Sequence, residues 1–192
     1  MADSRYVLDS NVFIEAAKQY YAFDLAPGFW ESLVAYAKPG EVISIDRVKQ
    51  ELDRVKDGVT TWADSDFQEA FASTDETAVV QVYGRIVNWA QRQTRYRSSA
   101  RAEFAQVADG WLVAYAKAKG CTVVTRESPL SREGRIKIPI VCSAFGVPCV
   151  SPFQMLRTLG VCFLDVGTMP AEESLRLVGQ SRAYGSRFLK SS

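Results

Sequence analysis

Residues 6–13, Tyr6-Val7-Leu8-Asp9-Ser10-Asn11-Val12-Phe13, decide how the chain is read. The short apolar run from Arg5 to Leu8 has the length and composition of a buried strand. Asp9-Ser10-Asn11 then offers side chains that cap helix N-termini, and residues 12–23 carry apolar side chains at helical spacing. A buried strand that runs into a capped helix is the first half of a β–α unit. Repeated, such units give a parallel sheet covered by helices.

The pattern recurs outward from that start. Pro27-Gly28 breaks the chain and opens a helix over residues 29–38, which Pro39-Gly40 ends. Val42 to Ile45 reads as a second strand, and Asp46 as the N-cap of a helix running through Val48, Leu52 and Val55. Helical segments are expected over Trp62–Ala72, Thr77–Gln93, Arg101–Val107 and Asp109–Lys119. Gly120 stops the last of these, and Cys121-Thr122-Val123-Val124-Thr125 is the clearest strand in the chain. A polar loop over residues 128–137 leads to a short helix over 138–146, a strand over 147–150 and a helix over 153–160. The expected fold is α/β: a three-layer α/β/α sandwich with a mostly parallel central sheet, plus a C-terminal appendage. Residues 1–163 make the main domain. Residues 164–192 are an extension of unknown role, with a break near Gly167 to Pro170 and then a helix with a basic end.

Composition excludes more than it selects. There is no histidine, which rules out imidazole acid–base catalysis and any histidine-ligated zinc site. Lys+Arg 23 against Asp+Glu 22 leaves a net charge of +1, so overall charge argues neither for nor against a polyanionic ligand. Distribution is more telling, with Arg92, Arg95, Arg97 and Arg101 crowded ahead of Asp109, and further basic residues over 126–137 and 176–190. These are either a rim for a polyanion or solvated helix faces. Cys121, Cys142, Cys149 and Cys162 lack CxxC spacing and lie in apolar surroundings, so buried free thiols are expected. The N-terminus has no basic segment leading into an apolar core, and no apolar run approaches the ~20 residues of a membrane span. A cytoplasmic protein without membrane association is expected.

Four carboxylates stand where an oxygen-ligated metal site would need them. Asp9 ends the first strand, Glu51 lies in a charged helix, Asp109 opens an amphipathic helix and Glu127 follows the clearest strand. Residues just past the ends of parallel strands are where open α/β sheets bind ligands. Magnesium and manganese take carboxylate oxygens and water, and a phosphodiesterase using them needs several acids on one rim. The plainer readings stay open: Asp9 and Asp109 as N-caps, Glu51 as a surface residue pairing with Arg47, and Glu127 as a loop residue.

Four segments in order resemble those of the PIN-domain ribonucleases, the fold of VapC-type toxins. They are YVLDSNVFIEA (6–16), SIDRVKQEL (44–52), ADGWLVAYAKAKG (108–120) and TVVTRE (122–127). More narrowly, FDLAPGFWESL (23–33) and residues 137–163 resemble a bacterial PIN subgroup known as a domain of unknown function, DUF4411-like. The resemblance spans about Tyr6 to Phe163. It implies that Asp9, Glu51, Asp109 and Glu127 are the catalytic acids and hold Mg²⁺ or Mn²⁺, with Asn11 and Thr125 in support. Glutamate at position 127 departs from the family's usual aspartate. The resemblance further implies a metal-dependent endoribonuclease, the toxin of a toxin–antitoxin pair. Its expected partners are single-stranded RNA and a protein antitoxin, with a homodimer left open. RNA would be held by Arg92, Arg95, Arg97 and Arg101, with unpaired bases stacking on Trp89 or Tyr96.

Two other readings compete. One is a PIN-like domain that binds RNA or a protein without cutting, which the glutamate at 127 favours. The other is a phosphatase of the haloacid dehalogenase type, which also begins with an acid after an apolar strand. That family requires a second acid at DxD, and this chain has Asp9-Ser10-Asn11.

Overall fold

A computed structural model describes residues 5–129 and 134–163. The strand read at the start of the chain is β1 (Tyr6–Leu8), all three residues buried, and it is followed by α1 (Ser10–Glu15). The next elements are α2 (Pro27–Ala37), β2 (Val42–Ile45), α3 (Asp46–Val55) and α4 (Gly58–Ser65). Then come β3 (Phe71–Ala72), α5 (Thr77–Gln91), α6 (Ser98–Phe104), α7 (Asp109–Lys119) and β4 (Thr122–Val124). The last described elements are α8 (Ile138–Phe145), β5 (Cys149–Val150) and α9 (Pro152–Thr158).

The strands form one sheet in the order β3-β2-β1-β4-β5, every pairing parallel. Parallel neighbours need a crossover, and the helices between them supply it, packing on the sheet as the expected three-layer α/β/α sandwich. β1 is central, with Val7 opposite Ile43 of β2 and Val123 of β4. From β1 the chain proceeds outward through β2 to β3, then returns to the other side of β1 for β4 and β5. The order therefore reverses between β1 and β4. At such a switch point the connections leave the strand ends in opposite directions and open a crevice beyond them.

α7 is apolar on most of its surface because it lies between the sheet and α5, burying Leu112 to Ala116 against Val82 and Ile86. It ends as expected at Gly120, whose φ of +69° suits a residue without Cβ. A second packing centre is aromatic. The Phe13 ring of α1 lies 5.9 Å from Trp62, 5.6 Å from Phe67 and 6.5 Å from Phe71.

Some local expectations fail. Trp62–Ala72 is not one helix: α4 ends at Ser65, a 3₁₀ turn covers Gln68–Ala70, and Phe71–Ala72 pairs with Ser44 and Ile45 of β2. Paired sheet edge outweighs helical spacing there. The helix after Asp9 also changes character, becoming a π-helical turn over Ala16–Tyr20. Asp46 does not cap α3 but is its first residue, and its carboxylate accepts from the Thr74 N–H and hydroxyl instead. Cys121 and Cys142 are buried as expected, but Cys149 is half-buried and Cys162 exposed. No helix among the described residues is long and apolar enough to cross a membrane.

The chain divides into two compact units, residues 1–151 and 152–192. In the second, the described part is α9 and the turn at Gly160. The extension expected over 164–192 lies outside the described residues.

Candidate metal and phosphate site

The crevice at the switch point is a cleft of about 200 Å³, lined by Ser10, Asn11, Glu51, Asp109, Glu127 and Lys137 among others. Asp9 lies buried beneath its Ser10 and Asn11 edge, 2% exposed. The sheet places that residue: its N–H donates to the Val124 carbonyl at 3.0 Å, so the backbone past β1 is still held by β4. Its carboxylate accepts from Thr125 Oγ at 2.8 Å, Asn11 Nδ2 at 3.3 Å and Ser10 Oγ at 3.4 Å. Asp9 occupies the N-cap position of α1, but its side chain caps nothing. Its three donors belong to neighbours on both strand ends.

Asp109 is the first residue of α7, with Ala108 at the cap position, so it is not an N-cap either. A carboxylate in that first turn is favoured by the helix dipole. The turn is held tightly from outside. A Cβ at Gly110 would meet Tyr83 Cε2 at 3.1 Å and Phe104 Cζ at 3.3 Å, so glycine is what lets both rings close on it. Glu51 reaches across from α3 and accepts the Ala108 N–H at 3.1 Å through Oε1. It therefore braces the start of α7, rather than pairing with Arg47.

Glu127 is fixed at both oxygens. Oε1 accepts from Lys137 Nζ at 3.1 Å and Oε2 from the Ile138 N–H at 2.8 Å, and its own N–H donates to Thr125 Oγ at 3.1 Å. Thr125 is thus the hinge of a relay from Glu127 to Asp9.

These carboxylates feel one another. Burial pushes Asp9 up to about 7, helped by the charges of Glu127 and Glu51 and opposed by the Thr125 bond. Burial likewise holds Asp109 well above the ordinary range, with the charges of Asp9, Glu127 and Glu51 adding to it and Lys137 opposing. Acids from positions 9, 51, 109 and 127 thus share one electrostatic environment.

The arginines expected beside Asp109 do not line this cleft. Arg101 donates to the Gln91 carbonyl at 2.6 Å, and Arg95 lies over the Tyr96 ring at 4.9 Å. From α6 it is Ala100, Glu103 and Phe104 that reach the wall. The cations that do line it are Arg135 and Lys137, on either side of the buried Ile136. Arg135 pairs with Glu103 at 3.2 Å, both at the exposed mouth. The two cations flanking Ile136 in Arg135-Ile136-Lys137 were the sequence signal that could have found them. Arg126, although adjacent to Glu127, stands over the Tyr20 ring at 4.2 Å and pairs with Glu15 along α1.

Among the described residues no group of three or more acidic or cysteine side chains is arranged to hold a metal ion as it stands. The donor set itself is hard and entirely oxygen, and negative charge outweighs positive in the cleft. Mg²⁺ is usually bound through one or two carboxylates with water completing its shell, and these donors fit that mode.

A family model described as "Domain of unknown function (DUF4411)" matches residues 6–163. No curated protein matches the chain. Among solved structures, the crystal structure of FitAcB from Neisseria gonorrhoeae is similar at 19% identity, covering 77% of this chain and 98% of that one, with a TM-score of 0.47.

Proposed function

The chain belongs to the DUF4411 family, and we propose that it is a Mg²⁺- or Mn²⁺-dependent endoribonuclease, the toxin of a toxin–antitoxin pair. The observation that carries this reading is the gathering of carboxylates from four separate elements at the sheet's switch point, with Asp9 buried and the protonated forms of Asp9 and Asp109 favoured. Folding maintains such an arrangement against its own repulsion, which is the mark of a functional site rather than of packing. The motif resemblance to PIN-domain ribonucleases supplies the reaction class, the single-stranded RNA substrate and the antitoxin partner.

A bound divalent cation supplies a positive centre for phosphate oxygens and makes an attacking water more acidic. Asp9 and Asp109 are the residues best placed to hold it, and Glu51 keeps the first turn of α7 at its post through the Ala108 N–H. Thr125, Ser10 and Asn11 orient the Asp9 carboxylate by donating to it. Without the cation, burial keeps a proton on Asp9 near neutrality. A cation held there would favour the ionised carboxylate over the protonated one.

The test is calorimetric titration of Mn²⁺ into the whole chain, alongside cleavage of single-stranded RNA by wild type, Asp9→Asn and Asp109→Asn. Proton-releasing Mn²⁺ binding, with cleavage lost in both folded variants, is the expected result. Cleavage retained in both variants ends the proposal. The second reading, a domain that binds without cutting, is favoured by the engagement of both Glu127 oxygens with the chain's own donors. Mn²⁺ binding without any RNA cleavage selects it.

A further inference from the structure

We infer that Glu127 is not a ligand of the cation but the positioning residue for Lys137, and that the Lys137 ammonium is the cleft's contact for a substrate phosphate. This rests on the metal-site reading above for the roles of Asp9 and Asp109. The geometry supports it in three ways. Glu127 spends both carboxylate oxygens inside the chain, one on Lys137 Nζ at 3.1 Å and one on the Ile138 N–H at 2.8 Å. The pair is largely withdrawn from water, with side chains 14% and 13% exposed, so the ammonium is held in one place rather than waving from the surface. Lys137 lines the same cleft as Asp109, Asn11 and Glu51, whereas Arg126, Arg95 and Arg101 are engaged elsewhere.

The side-chain length at 127 fits this role. Glu127 lies past the end of β4, and its carboxylate reaches ten residues ahead to Lys137 and eleven ahead to Ile138 at the start of α8. It thereby fixes the end of the loop that follows β4. A carboxylate cleft without an internal cation repels a phosphodiester. Lys137 offsets that repulsion from the wall of the cleft, where Glu127 orients it. Arg135, two residues earlier and paired with Glu103 at the mouth, continues the same cationic edge outward. The ligand class this edge fits is the phosphate backbone of a single strand.

Two binding assays on the whole 192-residue chain test the inference. In the first, Mn²⁺ alone is titrated calorimetrically into wild type, Asp109→Asn, Glu127→Gln and Lys137→Gln. Expected is a loss of affinity in Asp109→Asn and a change of less than about threefold in the other two. In the second, a short single-stranded oligonucleotide with a phosphorothioate backbone is followed by fluorescence anisotropy, with Mn²⁺ and with chelator, over a range of salt. Lys137→Gln should weaken binding by about tenfold, as loss of a charged hydrogen bond does. It should also reduce the slope of log affinity against log salt by about one, which a merely structural change does not. Lys137→Arg should restore the slope.

Mn²⁺ affinity lost in Glu127→Gln as completely as in Asp109→Asn makes Glu127 a ligand and overturns the inference. So does an unchanged salt slope in Lys137→Gln. If wild type binds no Mn²⁺, the metal reading fails, and the oligonucleotide arm in chelator then decides the role of Lys137 by itself.

Discussion

Helix α1 joins two regions built on opposite principles. At its start Asp9 lies buried among other carboxylates, and one turn later Phe13 lies buried among Trp62, Phe67 and Phe71. The first region is held in place by its surroundings, because its charges disfavour the folded state. The second helps hold the surroundings, because Phe13 and Phe67 are withdrawn from water and packed against one another edge to face. The difference teaches where the protein's stability resides and where it is given up. Strain of this kind at one site has to be offset by ordinary packing elsewhere.

The comparison can be broken most decisively at the carboxylates. Asp109→Asn and Asp9→Asn should each lower RNA cleavage by at least about a hundredfold, the scale set by losing a metal's supporting groups. Without metal and above about pH 7, where Asp9 is ionised, they should leave melting unchanged or raise it, since a buried charge has been removed. A variant that loses cleavage together with its cooperative circular-dichroism transition would make the acids structural and erase the contrast.

Substitutions on the aromatic side should do the reverse. Phe13→Ala or Phe67→Ala should cost about 3–5 kcal/mol in urea unfolding, because each leaves a ring-sized void in a packed cluster. Mn²⁺ affinity of the protein that remains folded should stay within about threefold of wild type. Loss of Mn²⁺ binding at full foldedness would show that the two regions are not separable.

A pH series sharpens the contrast without mutation. Asp9 is raised in the folded chain from 3.8 to about 7, so between those values the folded state holds a proton that the unfolded state has released. Stability of the metal-free protein should therefore fall as pH rises from about 4 to about 7, by up to ~4 kcal/mol from this group. Saturating Mn²⁺ should flatten or reverse that slope, because it binds the ionised form. A metal-free slope of the opposite sign, measured by urea unfolding, refutes the account of Asp9. The smallest expected effect is that of Thr125→Val. Removing the hydroxyl that donates to Asp9 should move the pH midpoint further up and cost about 1 kcal/mol.

The strands β1, β2 and β4 were legible because each is an apolar run bounded by caps or glycine, and the resulting β–α order leaves few topologies open. β3 was not, since two residues after a 3₁₀ turn carry no periodicity, and only their pairing with Ser44 and Ile45 makes them a strand. In the cleft, the motif order pointed to Asp9, Glu51, Asp109 and Glu127, but spacing alone could not separate them from caps and surface pairs. That the expected arginines do not line the cleft has a physical reason. Arg92 to Arg101 are close to Asp109 in sequence, yet α6 turns Glu103 to the cleft, whereas Lys137 arrives there from a loop beyond β4. Sequence proximity ranks candidates poorly when the connection is a helix that chooses its face.

The place of β4 beside β1 also governs when the cleft can exist during synthesis. Asp9 leaves the ribosome early, but the hydroxyl that orients it belongs to Thr125, 116 residues later. Pairings of that separation form late, because the loop must close before its contacts reward it. A growing chain that already exposes Asp9 and Glu51 therefore still lacks Thr125, Glu127 and the Lys137 edge of its cleft. Chains halted before β4 lack the hydroxyl that orients Asp9, so the cleft is completed only once most of the described domain has been made.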